Sequence, residues 1–431
     1  MTAATLPSSS LLSLEDALAR MLDGVEPLPV ISQPPLAAMG LILAEPLVAR
    51  HTLPPWDNSA MDGFAVRAID VASAEPVAGV RLTVVGEAAA GHPPTAAVGA
   101  GTAVRILTGA PMPSGADAVV PVEDTDVDPG LVDLPQTVEI RRAVPTGAHV
   151  RSRGSDVMAG TTLLRSGCTI GPAEAAIAAA GGHAALPVHR RPRVAVLATG
   201  DELAEPGSEL EESQIPDSNS TGLLAQAMAV GAEAIALGIS RDRLPDVVAA
   251  LRRGMERADV VVVSGGVSVG AHDVVKEAFS ELGRLELWRV AVQPGKPLAF
   301  ARAGRDGEGP PAVLFGLPGN PVSSFVTFEL FVRPVLARLA GHLSTPARET
   351  VSARLAEPVT KSPGRRAFLR VRLTAAAGEW HASLAGGQGS HVLSALAAAD
   401  GLAVVPEDVA GLPAGASVEV ILLRRPAADG N

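Results

Sequence analysis

The sequence predicts a multidomain α/β plus β fold: a central doubly wound α/β domain, a β-rich domain inserted N-terminally to it, and a small C-terminal β-barrel. Three observations lead there. Residues 190–340 alternate short, wholly apolar runs with stretches of helical period, the pattern of parallel strands covered on both faces by helices. Residues 51–150, and those beyond about 341, hold short strand-like runs divided by glycine and proline, with no lasting helical period. The length, 431 residues, exceeds one ordinary core and suggests three or four domains.

Taken in order, Ser13-Leu14-Glu15-Asp16 reads as an N-cap with acids in the first turn, opening a helix to about Leu22. Pro29, Pro34, Pro35 and Pro46 break the next stretch into extended or short helical pieces. Strands are expected at 81–85, 103–107, 118–122 and 137–140. Gly171-Pro172 starts an alanine-rich helix that stops at Gly181-Gly182. The α/β part has strands at 194–198, 234–239, 260–263 and 312–315. Helices fall at 222–230, on the stripe Val247, Val248, Leu251 and Met255, and on Val274, Val275, Ala278, Phe279 and Leu282. A last helix carries Val322, Phe325, Phe328, Val332 and Leu336, and Pro334 should kink it. Alternation in 368–373, with 379–384, 403–405 and 417–422, makes the terminal barrel or sandwich. The expected domains are 1–50 with 151–188 as a linker or interface domain, whose N-terminal helix is free to pack on the α/β domain, then 51–150, 189–340 and 341–431.

Composition excludes several classes. Hydrophobic content of 47% against 19% charged is globular rather than disordered. The 44 glycines and 36 prolines are dispersed between periodic segments, which means many tight loops rather than a linker. No apolar run approaches 18 residues and residues 1–10 lack a signal-peptide pattern, so a cytoplasmic protein without a membrane span is expected. A single cysteine, Cys168, leaves no intramolecular disulfide and no cysteine-clustered metal site. The net charge of −11 argues against a nucleic-acid surface, while leaving room for a small basic pocket.

Ligands of open α/β sheets bind beyond the carboxyl ends of the strands, so the chemistry should follow each strand. After 260–263 comes Ser264-Gly265-Gly266-Val267-Ser268-Val269-Gly270 and a helix. Glycines let backbone N–H groups approach an anion, although a tight strand-to-helix turn needs the same residues. It is neither a Walker A loop nor GxGxxG. After 312–315 comes Gly316-Leu317-Pro318-Gly319-Asn320-Pro321, a second expected anion cradle with free N–H groups. After 194–198 stand Asp201 and Glu202, and Asp217-Ser218-Asn219 precedes a helix, where any of the three could be an N-cap. Glu202, Asp217 and Asp273 beside phosphate loops would imply a bridging Mg2+. Lys296, between Pro294-Gly295 and Pro297, could neutralise an oxyanion or be an exposed loop lysine. In Leu53-Pro-Pro-Trp56-Asp-Asn58-Ser-Ala-Met61-Asp62-Gly-Phe64, Asp62 occupies either a hairpin corner stapled by a small core or a loop offered to a ligand.

In order, Asn58-Ser-Ala-Met-Asp62-Gly, Arg105-Ile-Leu-Thr108-Gly-Ala-Pro, Arg153-Gly-Ser-Asp156, Thr199-Gly-Asp-Glu202-Leu, the 264–270 turn, Pro294-Gly-Lys296-Pro and Gly316-Leu-Pro-Gly-Asn-Pro321 closely resemble the molybdopterin molybdenumtransferase family, called MoeA in bacteria and the E domain of gephyrin in animals. The resemblance implies an elongated homodimer of four-domain subunits. It implies insertion of molybdenum from molybdate into adenylylated molybdopterin, with release of AMP and help from Mg2+. The cleft would lie between the α/β domain of one subunit and β domains of the other. Asp62, Thr108, Asp156, Glu202, Asp217 and Asp273 would be active-site residues, with Glu202, Asp217 and Asp273 on Mg2+ or polarising the anhydride. Ser264, Gly265, Gly266, Ser268, Gly270, Gly316, Gly319 and Asn320 would bind phosphate. Lys296, Pro318 and Pro321 would frame the phosphate and molybdate pocket, joined by Arg370 and Ser390 from the last domain. Where some members carry lysines before the Pro-Gly-Lys turn, this chain has Arg289 and Gln293. Two other functions remain open at this point: the molybdopterin adenylyltransferase of the preceding step, also an expected partner, and a gephyrin-type scaffold.

Overall fold

The computed structural model describes residues 11–130, 133–266, 273–305, 310–344, 348–376 and 378–426. They fall into two units, one of Met1–Ile31, Gly40–Ala44 and His189–Asn431, the other of Ser32–Met39 and Glu45–Val188.

The larger unit is built on a six-stranded sheet. Its strands are β1 (Arg193–Thr199), β2 (Glu233–Ser240), β3 (Val260–Ser264), β4 (Gly283–Arg289), β5 (Pro297–Ala303) and β6 (Ala312–Leu317), in the order β2-β1-β3-β6-β5-β4. The first four in that order are parallel, while β5 and β4 run antiparallel to their neighbours. The valines of β3 follow from its central position. Val260 and Val262 join one core layer while Val261 and Val263 join the opposite one, so both faces of the strand are covered. One layer is closed by α1 (Ser218–Ala229), α4 (Pro321–Thr327) and α5 (Arg333–Leu339). The other is closed by α2 (Leu244–Arg257) and α3 (Val274–Leu282).

The pair β4–β5 is absent from the sequence expectation, which carried strict strand–helix alternation from β3 to β6. Gly283–Arg289 follows α3 without a break, and a hairpin-like extension needs no helical crossover. The helix expected at 222–230 begins earlier, at Ser218, because Asp217 caps it, its side chain accepting from the Ser220 N–H at 3.0 Å. The interruption expected from Pro334 takes the form of a wider π turn, Phe328–Val332, leading into α5 with Pro334 in its first turn. The helical run is continuous through this point, and the wider turn accommodates the hydrogen bond that proline cannot donate.

The helix Leu14–Leu22 forms with Ser13 as cap and buries Ala17 and Met21 in the core layer shared with α5. The end of the chain forms a barrel of five strands: β7 (Thr350–Leu355), β8 (Arg366–Ala376), β9 (Glu379–Leu384), β10 (Gly401–Val405) and β11 (Ser417–Leu422). The ring β8-β9-β7-β11-β10 closes because β10 pairs back onto β8. Val292-Gln293, in the β4–β5 connection, adds to β8 in parallel.

The smaller unit has a five-stranded sheet in the order Ala118–Pro121, Gly63–Val66, Thr102–Ile106, Val80–Ala88, Thr137–Ile140. Alternating residues fill its two faces, Phe64, Val66 and Val120 on one and Ala65, Val104 and Val119 on the other. The helix Pro172–Ala180 lies in the same unit. Among the described residues no helix is long and apolar enough to cross a membrane.

Candidate functional site: an acidic cleft beside a basic pocket

After β1 the chain crosses to β2 on one side, then returns to β3 on the other side of β1. A crevice opens beyond the carboxyl ends of two strands whose crossovers part in this way. Here it is a cleft of 740 Å3. Thr199 and Ser264, the last residues of β1 and β3, line it together with Gly265-Gly266 and residues 318–321. Both glycine turns therefore open onto one space, and Gly319 approaches Gly265 closely.

The first turn depends on its glycines. Gly265 and Gly266 have φ of +99° and +63°, a region L-residues avoid. A Cβ at 265 would run into the carbonyl oxygen of Thr199, and one at 266 into the side chain of Val275. The Thr199 hydroxyl, packed against this turn, is buried without a hydrogen-bond partner, and Thr199 is among the residues lining the cleft. Such an orphan costs about 1–3 kcal/mol, relieved by a polar ligand. Ser268 and Gly270 lie outside the described residues. In the second turn Gly316 belongs to β6, and Pro318, Gly319, Asn320 and Pro321 face the cleft. One N–H expected to be free is not: Val322 donates to the Ser390 carbonyl at 3.0 Å.

Carboxylates border these turns. Asp217 lines the cleft as the cap of α1. Asp273 caps α3, accepting from the Lys276 N–H at 3.2 Å and pairing with the Lys276 ammonium at 3.0 Å. Glu202 lines the cleft from an exposed turn. Sequence reasoning missed Asp242, which also lines it. Its carboxyl is pushed above the usual range, first by burial and then by the charges of Asp201, Glu202 and Asp273. The signal was available, because Asp242 lies just beyond the carboxyl end of β2. His391 likewise reaches the cleft without having been given a role.

Among the described residues, Glu202, Asp217 and Asp273 included, no three acidic, histidine or cysteine side chains converge to hold a metal ion by themselves. The donors are nonetheless all oxygen. That fits a hard cation such as Mg2+, which uses one or two carboxylates and takes its remaining ligands from water and phosphate.

A second cavity, of 510 Å3, adjoins the first, and Ser323 lines both. Lys296, Arg365, Arg370 and Ser390 line it, and among the described residues no acidic side chain does. Lys296 is carried on the β4–β5 connection, which Val292-Gln293 fastens to β8. Arg370 is 1% exposed, and its Nη2 donates to the carbonyls of Gly387 and Gly389, each at 3.0 Å. Its Nε has no partner, and burial lowers the guanidinium pKa. The Gln293 Oε1 is also buried and unpartnered. A buried cation without a carboxylate beside it is costly, and a bound oxyanion would offset that cost.

In the smaller unit Asp62 and Thr108 are brought together: the Thr108 N–H donates to the Asp62 carboxylate at 2.6 Å. Of the aromatic and sulfur side chains flanking Asp62, only Phe64 is core, while Trp56 and Met61 are exposed. The corner is therefore not stapled by all three. Asn58–Ser59 pairs with Val150–Arg151, five residues before Asp156, which is exposed.

Three family models cover the chain. The "MoeA N-terminal region (domain I and II)" matches residues 12–182, the "Probable molybdopterin binding domain" 195–338, and the "MoeA C-terminal region (domain IV)" 352–423. Molybdopterin molybdenumtransferase 2 of Mycobacterium tuberculosis is 43% identical over 396 residues, covering 90% of this chain and 94% of that protein. The Staphylococcus aureus molybdopterin molybdenumtransferase is 32% identical, covering 96% of each. Two crystal structures of molybdopterin biosynthesis MoeA protein from Pyrococcus horikoshii align with TM-scores of 0.80 and 0.77 at 33% and 28% identity, each covering 96% of this chain and 100% of that chain. On this evidence the chain belongs to the molybdopterin molybdenumtransferase (MoeA) family.

Proposed function

We propose that this chain inserts molybdenum from molybdate into the dithiolene of adenylylated molybdopterin, releasing AMP, as a cytoplasmic step of molybdenum cofactor biosynthesis. The observation that carries the reading is the pair of adjoining cavities joined at Ser323, one with glycine turns and carboxylates, the other, among the described residues, with three cations and no acid. A phosphoanhydride suits the first and a molybdate oxyanion the second. The substrate's own dithiolene provides the sulfur ligands, which is compatible with a chain holding one cysteine.

In this reading Ser264, the orphan Thr199 hydroxyl and the N–H group of Gly266 hold the phosphate, while the Gly265 N–H donates to the Leu317 carbonyl at 3.3 Å and ties the two turns together. Residues 316–321 form the facing wall. Lys296, Arg370 and Ser390 hold the oxyanion. Donors fixed before the substrate arrives stabilise charge on the anhydride as it breaks without having to reorganise. Mg2+, held with the substrate phosphates by Glu202, Asp217 and Asp273, would neutralise anhydride charge. Gln293 contributes an amide where a lysine would add a fourth charge to Lys296, Arg365 and Arg370. The working form is taken to be a homodimer in which Asp62, Thr108 and Asp156 serve the cleft of the other copy. Molybdopterin adenylyltransferase is the expected supplier of substrate.

The test is AMP release by the purified chain from adenylylated molybdopterin and Mg2+, with and without molybdate. Release that requires molybdate is the expected result. Release independent of molybdate, or consumption of ATP with molybdopterin as in an adenylyltransferase, would overturn it.

A further inference from the structure

We infer that Asn219 is a positioning residue: its side-chain amide sets the direction of the Ser264 hydroxyl and holds the two cleft turns together, so that a phosphate meets a donor there. The inference rests on the phosphate-binding reading of the cleft. Asn219 is the second residue of α1, two residues past the capping Asp217, and it is half-buried. Its Nδ2 donates to Ser264 Oγ at 2.8 Å and to the Gly319 carbonyl at 2.7 Å. Those acceptors belong to the two separate turns.

The polarity of this bridge is unambiguous, because a carbonyl can only accept, so the group facing Gly319 must be the NH2. A serine hydroxyl has one proton and two lone pairs. With one lone pair taken by Asn219, and no acceptor for the proton among the described residues, Ser264 is left to donate into the cleft that it lines. The same amide engages the Gly319 carbonyl, whose oxygen would otherwise stand unneutralised beside a bound anion. Asn219 thus acts through Ser264 and Gly319.

The experiment is calorimetric binding of AMP and of inorganic pyrophosphate to the full chain. It compares wild type, Asn219→Ala, Ser264→Ala, the double variant and Asn219→Asp, with thermal melts to verify folding. Each single alanine variant should weaken AMP binding about tenfold. The double variant should fall well short of the product of the two, since both act on one hydrogen bond. Asn219→Asp, which sets a carboxylate against two acceptors, should bind worse than Asn219→Ala. Unchanged affinity in Asn219→Ala, or a double variant equal to the product, overturns the inference alone. Failure of the wild type to bind either probe overturns the phosphate reading and this inference with it. Should Asn219→Ala not fold, the same cycle is run with Asn219→Asp and Ser264→Ala.

Discussion

Asp259 is buried at the foot of the central sheet, where it accepts two hydrogen bonds of 2.7 Å from the Arg190 guanidinium and one of 2.9 Å from the Arg193 N–H. Burial works against its charge, but these donors and the nearby Arg305 outweigh it and hold the carboxyl below the usual range. Its contribution to stability is therefore present above the ordinary carboxylate pKa of about 3.9, and is lost as pH falls through the lowered value. Asp259→Ala should cost about 3 kcal/mol at neutral pH in urea unfolding, since it strands Arg190. That deficit should shrink in acid. Asp242 behaves in the opposite sense. Its raised carboxyl means that folding is penalised as pH rises from below about 3.9 through the raised value. Asp242→Asn should raise Tm at pH 7 by an amount worth less than about 1 kcal/mol, because the carboxylate is only partly withdrawn from water and its interactions are screened. The gain should vanish below pH 3.9, and AMP release should fall even though the protein is more stable. A Tm unchanged at pH 7 would remove the case for repulsion in the cleft.

Among the elements, the turn after β3 is the most constrained. Gly265 combines a positive φ with backbone contact against Thr199, so both conformation and space demand glycine. Gly265→Ala should lower stability by about 1–3 kcal/mol and abolish AMP binding measured by calorimetry. Gly319→Ala, whose added methyl would only meet the Gly265 Cα at 3.7 Å, should retain most of that binding. Equal loss in both would mean that the first turn has no special role. Behind the site, Gln226 of α1 donates to Phe325 O of α4 at 3.2 Å and to Glu329 of the π turn at 2.9 Å. Arg348 holds the same Glu329 with two bonds of 2.9 Å. The start of α1, and with it Asn219, is thereby registered against the elements that carry residues 318–321.

For the whole molecule, the homodimer reading makes a prediction that a monomeric site does not. Asp62→Asn and Asp273→Asn should each fold, the second with a melt lowered by loss of its ion pair with Lys276, and each lose AMP release. Mixed after dissociation and reassociation, they should regain about a quarter of wild-type activity, because half the dimers are mixed and each mixed dimer has one of its two sites intact. No recovery, with exchange verified by native mass spectrometry, would place both carboxylates in one subunit's site.

Much of this protein was legible in its sequence because the signals are local. The alternation of 190–340 and the glycines at 265 and 266 each follow from the conformational limits of a few neighbouring residues, and the ordered motifs named the family. Other features required the folded chain. The sequence left Asp217, Ser218 and Asn219 as equal candidates for a cap. Packing made Asp217 the cap and turned Asn219 toward two turns 45 and 100 residues away. Asp242 showed no motif beyond its place after the carboxyl end of β2, and its nearness to Asp201, Glu202 and Asp273 came only with the fold. The strands β4 and β5 escaped notice because an antiparallel extension carries no crossover helix to announce it. The sequence by itself therefore determined which backbone shapes were possible and which family they belong to. The tertiary structure decided which side chains meet, because hydrogen bonds and charge repulsion act over a few ångströms of space irrespective of distance along the chain.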